Sequence, residues 1–187
     1  LKYAKRRVFN FYEKNKDASV VHDNLKDMKD VLSYDLQYQK GAWVLHMLRN
    51  YVGEDNFRSG IRNYYKKYFN SNTNTEEFKI EMEKVSGIDL DKFFDQWLYK
   101  GGIIKLDVEW KYDETSKNIE FDITQVQNDG YLFEMPLDIE ILEDNNSNTS
   151  TIRLDKKSGK YLVYSENKPK EIKLDPYTKL LANWTIN

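Results

Sequence analysis

The chain has no cysteine, only two histidines (His22 and His46) and only three prolines among its 187 residues. Without cysteine there is no disulfide framework, thiolate zinc site, iron–sulfur cluster or cysteine nucleophile, and the compartment stays open. Proline is missing until Pro136, which suits long helices in the first half; Pro169 and Pro176 follow in the second. An excess of one charge is also missing. Lys and Arg number 29 against 31 Asp and Glu, a net charge of -2, so the basic surplus of a nucleic-acid groove is excluded. No apolar run approaches the ~18 residues of a membrane span. No signal-like segment opens the chain, and a first residue of Leu1 rather than Met leads us to expect a longer natural protein. What is present suffices for a core: 40% of residues are apolar and 14% aromatic, too many for a disordered segment.

The hydrophobic pattern changes at Gly101-Gly102, which sets an expected boundary between residues 1–101 and 102–187. Before it, apolar residues recur with helical spacing. We expect helices over 2–15, 37–52 and 54–69, one capped by Thr75 and ending at Gly87, and a last one capped by Asp89 or Asp91. A short helix near 23–30, capped by Asp23, is also expected. The segment 37–52 carries two stripes: Tyr38, Ala42, Leu45, Leu48 and Val52, and beside them Trp43, Val44, Met47 and Tyr51. A helix apolar on nearly every side is normally buried within a larger body. After the boundary the period becomes two. Ile104, Leu106, Val108 and Trp110 alternate with charged residues, as do Ile119, Phe121 and Ile123, then Leu137, Ile139 and Ile141. Turns are expected at 113–117, 143–149 and 157–159. Six or seven short strands over about 85 residues predict an antiparallel sandwich of immunoglobulin-like kind.

Chemistry-bearing motifs are few. His46 has Ala42 and Asn50 at four residues' distance, and His22 has Lys26, so neither histidine has a ligand-spaced partner for zinc. We read His46 as a packed helix residue and His22 as a loop residue. No nucleophile elbow, phosphate-binding glycine loop or dinucleotide fingerprint occurs. Acid pairs such as Glu76-Glu77 sit at helix starts, where capping explains them. Tyrosine is abundant at 14. A tyrosine at a cleft can donate to a developing oxyanion, but periodicity does not choose which one.

The segment Tyr38-Gln39-Lys40-Gly41-Ala42, followed by Val44-Leu45-His46-Met47-Leu48-Arg49, resembles the "Tyr-x-Lys-Gly-Ala…Leu-x-Met-Leu" segment of aminopeptidase N-type (gluzincin) zinc metallopeptidases. The likeness continues in register through Val52-Gly53-Glu54-Asp55-Asn56-Phe57, Thr75-Glu76-Glu77-Phe78, Val85-Ser86-Gly87-Ile88-Asp89-Leu90 and Gln96-Trp97-Leu98. In the second half, Leu106-Asp107-Val108-Glu109-Trp110, Thr124-Gln125-Val126-Gln127 and Met135-Pro136-Leu137 are similar to the family's sandwich domain. The resemblance implies an α+β multidomain fold. Residues 1–101 would be the helical end of a thermolysin-like catalytic domain, followed by an immunoglobulin-like β-sandwich over 102–187.

The resemblance also implies an activity, the zinc-dependent removal of N-terminal residues from peptides. The family's zinc ligands and α-amine site do not occur in this chain, so zinc belongs to the full-length parent and no metal is expected on residues 1–187. One active-site residue carries over. Tyr38 matches the tyrosine that stabilises the tetrahedral intermediate, since a phenol, titrating ordinarily near ~10, stays protonated and can donate. Tyr34, one turn earlier, is implied as a lining residue of the substrate pocket. Lys40 and Gly41 are expected to be structural, Gly41 by permitting a close helix approach. The expected partners are a peptide substrate and the missing N-terminal catalytic part, with no nucleic acid and no membrane span; the chain alone is expected to be inactive. An alternative is a non-catalytic peptide-binding or scaffold module of a degenerate homologue.

Overall fold

The computed structural model describes residues 1–22, 32–127, 131–144 and 146–187. The short helix expected at 23–30, and residue 145 of the expected polar turn, lie outside the described residues. The chain divides into two compact units, Leu1–Gly101 and Gly102–Asn187.

The first unit is helical: α1 (Lys2–Tyr12), a π-helical segment (Tyr34–Lys40) running directly into α2 (Gly41–Val52), then α3 (Glu54–Lys67), α4 (Thr75–Ser86) and the short α5 (Asp91–Phe94), which continues into a π-helical turn (Asp95–Tyr99). Gly53, with φ +87°, both stops α2 and starts α3, a backbone shape open chiefly to glycine. The cap of α4 is Asn74, one residue before the expected Thr75. Asn74 Oδ1 accepts from the Glu77 N–H at 3.0 Å while the Glu77 carboxylate accepts from the Asn74 N–H at 2.9 Å, a reciprocal box that Thr75 cannot form from the first helical position. Neither expected acid caps α5 either: Asp91 is its first residue, and Asp89 accepts from the Asp91 N–H just ahead of it. Trp43, Leu48, Met82, Leu90 and Trp97 are fully buried in this unit. Each such side chain contributes about 1.5–3 kcal/mol on burial. An aromatic run binds α2, α3, α4 and α5 together: Tyr51 stacks on Phe93, Phe93 and Phe94 meet edge to face, and Phe78 touches both Phe94 and Tyr64. Gly60 lets α3 approach α4, since a Cβ there would lie 2.4 Å from Met82 Sδ.

The second unit contains β1 (Ile104–Asp113), β2 (Asn118–Gln125), β3 (Met135–Leu142), β4 (Ser147–Leu154), β5 (Ser158–Tyr164), β6 (Glu171–Leu174) and β7 (Ala182–Ile186). They form a four-stranded sheet, β5-β2-β1-β7, and a three-stranded sheet, β4-β3-β6. Period-two residues Leu106, Val108, Ile119, Phe121, Leu137 and Ile139 are buried, as expected of half-covered strands. The turn between β1 and β2 is held by Asp113, whose carboxylate accepts from the Thr115 N–H and the Ser116 hydroxyl.

The sheets are not wholly antiparallel, as the sequence led us to expect. β7 lies parallel to β1, Ile104 opposite Ala182 through Val108 opposite Ile186. The chain leaves β6 in the other sheet and returns to the free edge of β1 travelling in its direction, a crossover that a hairpin cannot make. Two buried polar clusters tie irregular segments to these sheets. Gln125 Oε1 accepts from the Phe133 N–H and from Gln127 Nε2, while Gln125 Nε2 donates to the Phe133 carbonyl. Asp138 on β3 accepts from Thr151 Oγ1 and Lys179 Nζ, both at 2.6 Å.

Candidate active site

Tyr38 sits on the π-helical segment. Ser33 starts it by accepting from the Leu36 N–H at 3.4 Å, and at its far end the Gly41 N–H reaches back five residues to the Leu36 carbonyl. Such wide turns are rare within helices and are frequent at functional sites. The ring of Tyr34, one turn earlier, stacks on Tyr38 with centroids 6.1 Å apart and planes 28° from parallel. Both remain open to solvent, Tyr34 at 51% and Tyr38 at 58% exposure.

This exposure divides the apolar helix into two kinds of surface. Trp43, Val44, Met47, Leu48 and Val52 are buried, whereas Tyr38, Ala42 and Leu45 are exposed. Tyr38 and Leu45 belong to the wall of a groove of about 590 Å³, with Gln37, Gly41, Phe78 and Leu98 among its other residues. Among the described residues no other element approaches Gly41 closely, contrary to the expected close helix approach. A Cβ there would meet only the Leu36 carbonyl oxygen, at 4.0 Å, among the described residues. It faces the groove instead.

Polar contacts from outside the segment pin it at three places. Arg7 on α1 donates from Nε to Asp35 Oδ1 at 2.5 Å, and its guanidinium lies 4.9 Å from the Tyr34 ring centre. Bonded to that carboxylate, Arg7 holds its proton even more firmly than an ordinary guanidinium. Gln37 donates from Nε2 to the Val20 carbonyl at 3.1 Å. Lys40 is wholly buried. Its ammonium donates to Tyr12 Oη at 2.7 Å, 4.7 Å from that ring's centre, and Tyr12 in turn donates to the Ala18 carbonyl at 2.6 Å. The expected structural role of Lys40 thus has a partner on α1.

The histidines have other surroundings. His46 packs edge-on against Trp43, centroids 5.4 Å apart, and its backbone carbonyl accepts from Asn50. His22 lies in the loop that follows α1. Among the described residues one group of potential ligands comes together, Glu83, Asp89 and Asp91. It contains no histidine and carries Lys79, which bridges Asp91 and Glu76.

A model of the peptidase family M1 domain matches residues 4–97, just over half of the chain. The chain belongs to peptidase family M1. A leucyl aminopeptidase of Saccharolobus solfataricus is 33% identical over 124 residues, covering 65% of this chain and 15% of that protein. Aminopeptidase N of Lactococcus lactis subsp. lactis is 31% identical over 102 residues, covering 54% of this chain and 12% of its own. The crystal structure of Legionella pneumophila aminopeptidase A in complex with aspartic acid superposes with a TM-score of 0.77 at 16% identity, over 98% of this chain and 23% of that one. That likeness is one of fold. This M1 chain thus spans under a quarter of the length of these relatives.

Family M1 aminopeptidases are zinc-dependent. The one cluster of potential ligands among the described residues does not fit such a site. Zinc ligation calls for histidine or thiolate nitrogen and sulfur with at most one or two carboxylates, and the only cluster among the described residues is all carboxylate. The sequence singles out Tyr38 through the motif and Tyr34 through its place one turn earlier, and the structure stacks their rings. The sequence does not single out Arg7 or Asp35, which meet across 28 residues; the one local signal is the i, i+4 spacing of Tyr3 and Arg7 on α1.

Proposed function

We propose that this M1 chain is the C-terminal portion of a zinc-dependent aminopeptidase that hydrolyses N-terminal residues from peptides. In this reading Leu1–Gly101 is the helical end of a thermolysin-like catalytic domain, and Gly102–Asn187 an immunoglobulin-like β-sandwich. Zinc and its ligands belong to the part of the protein that precedes Leu1. Tyr38 is the residue this chain supplies to the chemistry, and Tyr34 lines the substrate pocket.

The observation that carries this reading is an exposed phenol at the Tyr-x-Lys-Gly-Ala position, on a π-helical segment beside an open groove. Hydrolysis of the first peptide bond adds water across the amide carbon and nitrogen. The carbonyl oxygen gathers negative charge as the carbon becomes tetrahedral. Tyr38 Oη–H donates to that oxygen, and the bond strengthens as the charge grows, so it favours the transition state over bound substrate. Tyr34 holds the neighbouring ring face and narrows the positions Tyr38 can take.

Chromogenic aminoacyl anilides test this. Residues 1–187 alone give no hydrolysis, and the protein extended upstream gives turnover. In the extended protein Tyr38→Phe lowers kcat by about 10²–10³. An extended protein that binds peptide without cleaving it would instead be the non-catalytic scaffold.

A further inference from the structure

We propose that Arg7 is a positioning residue for Tyr38, acting through Asp35 and the Tyr34 ring. The inference rests on the assignment of Tyr38 as the oxyanion donor and adds how that donor is held. A phenol that must meet a developing charge has to stand within about 0.5 Å of its working place. Tyr38 is 58% exposed, so packing alone does little to fix it. Its ring rests on Tyr34, which is itself half exposed.

Arg7 is the side chain that reaches both supports of Tyr38. Its Nε donates to Asp35 in the first turn of the π-helical segment, at 2.5 Å, and so fixes the start of that backbone. Its guanidinium lies 4.9 Å from the centre of the Tyr34 ring, the ring on which Tyr38 stacks. Tyr3, one turn before Arg7 on α1, accepts from Nη1 at 3.4 Å and presents its own ring to the guanidinium at 5.9 Å. The planar cation is thereby held between two tyrosines and a carboxylate, an arrangement that a flexible ammonium reproduces poorly. The other end of the segment is anchored independently by buried Lys40 on Tyr12. Both anchors come from α1, five residues apart, so α1 serves as a splint along the segment that carries Tyr38.

The two anchors differ in kind. Lys40 is fully buried, so its bond to Tyr12 bears on the stability of the helical unit. The Arg7–Asp35 pair is part exposed, 38% and 26% for the two side chains. Exposed pairs of this sort contribute little to stability. A purely structural Arg7 would therefore be nearly silent, whereas a positioning Arg7 appears in turnover.

The test is a double-mutant cycle in the upstream-extended aminopeptidase, with Arg7→Ala, Tyr38→Phe and both together. Arg7→Ala is expected to lower kcat about 10- to 100-fold, the scale of an ångström-sized misplacement, with KM within about twofold. The midpoint of thermal unfolding stays near wild type. In the Tyr38→Phe background the same change costs less than about twofold, because nothing remains to be positioned. Arg7→Lys recovers part of the loss, and Asp35→Asn follows Arg7→Ala; these two carry the test if Arg7→Ala fails to fold. Wild-type kcat for Arg7→Ala in an enzyme that Tyr38→Phe has crippled overturns the positioning role and leaves the Tyr38 assignment standing. Full additivity of the two losses overturns it as well, since Arg7 would then act elsewhere. Wild-type turnover by Tyr38→Phe overturns the assignment itself and this inference with it.

Discussion

Replacing Tyr12 by phenylalanine removes one oxygen and leaves the ring in place, which makes it a sharp probe of the buried lysine. In the wild-type chain Lys40 Nζ donates to Tyr12 Oη at 2.7 Å, and Tyr12 donates onward to the Ala18 carbonyl at 2.6 Å. The phenylalanine ring still faces the ammonium, so the cation–ring contact survives. What is lost is a charge-assisted bond worth about 1.5–3 kcal/mol and a neutral one worth about 0.5–1.5 kcal/mol. The helical unit should therefore lose about 2–4.5 kcal/mol. For a unit of this size each kcal/mol moves the melting temperature by roughly 4–8 °C. Urea unfolding followed by far-UV ellipticity reads it, with the slope unchanged and the midpoint lowered. Lys40→Met is the companion. It keeps the stem and removes the buried charge, so it should be milder than Tyr12→Phe, because removing a partner of a buried charge costs more than replacing the charge. A Tyr12→Phe shift below about 0.5 kcal/mol, or a Lys40→Met more damaging than Tyr12→Phe, would refute the reasoning.

Two further outcomes follow from the β-sheet unit and from the helical unit. Burial pushes the Asp138 carboxyl up, but the bonds from Lys179 and Thr151 outweigh it and hold the group below the ordinary aspartate range. A carboxyl depressed on folding adds stability that is complete above the unfolded value near ~3.9 and is lost as pH falls through the folded value. Unfolding of the β-sheet unit should thus become easier as pH drops below about 4, and Asp138→Asn should flatten that limb. In the helical unit, Gly101 lies against the loop after α1, where a Cβ would sit 2.6 Å from both the Asp17 carbonyl carbon and the Lys16 carbonyl oxygen. Backbone must move to admit it, so Gly101→Ala should cost about 1–3 kcal/mol, read as earlier urea unfolding.

Legibility varied with how local each cause is. Strands β1 to β3 follow from strict alternation at Ile104–Val108, Ile119–Ile123 and Leu137–Ile141, because one face of each is covered. The parallel placement of β7 was not readable, since Ala182–Ile186 is short and its partner strand is remote in sequence. The burial of Asp138 was likewise hidden, because alternation puts it outward while Lys179, far along the chain, covers it. In the helical half, the stripe through Tyr38 and Leu45 gave the helix but not which of its residues are core within this chain, since the stripe holds both core residues and the open groove wall. The π-helical start of α2 has no periodic signature in seven residues. Tyr38 is proposed as a site residue only because a motif names it, since periodicity does not single out one tyrosine. Arg7, Asp35 and the Lys40–Tyr12 pair depend on contacts across 28 residues, which spacing cannot show.

Tyr38 as an oxyanion donor is tested most directly by a tetrahedral phosphonate analogue of the hydrolytic intermediate, its affinity compared between wild-type and Tyr38→Phe forms of the upstream-extended protein. A donor that acts on the transition state should cost the analogue about the same factor of 10²–10³ that it costs kcat/KM, while substrate KM and product binding stay unchanged. Unchanged analogue affinity, or an equal loss for analogue and substrate, would contradict the role assigned to Tyr38.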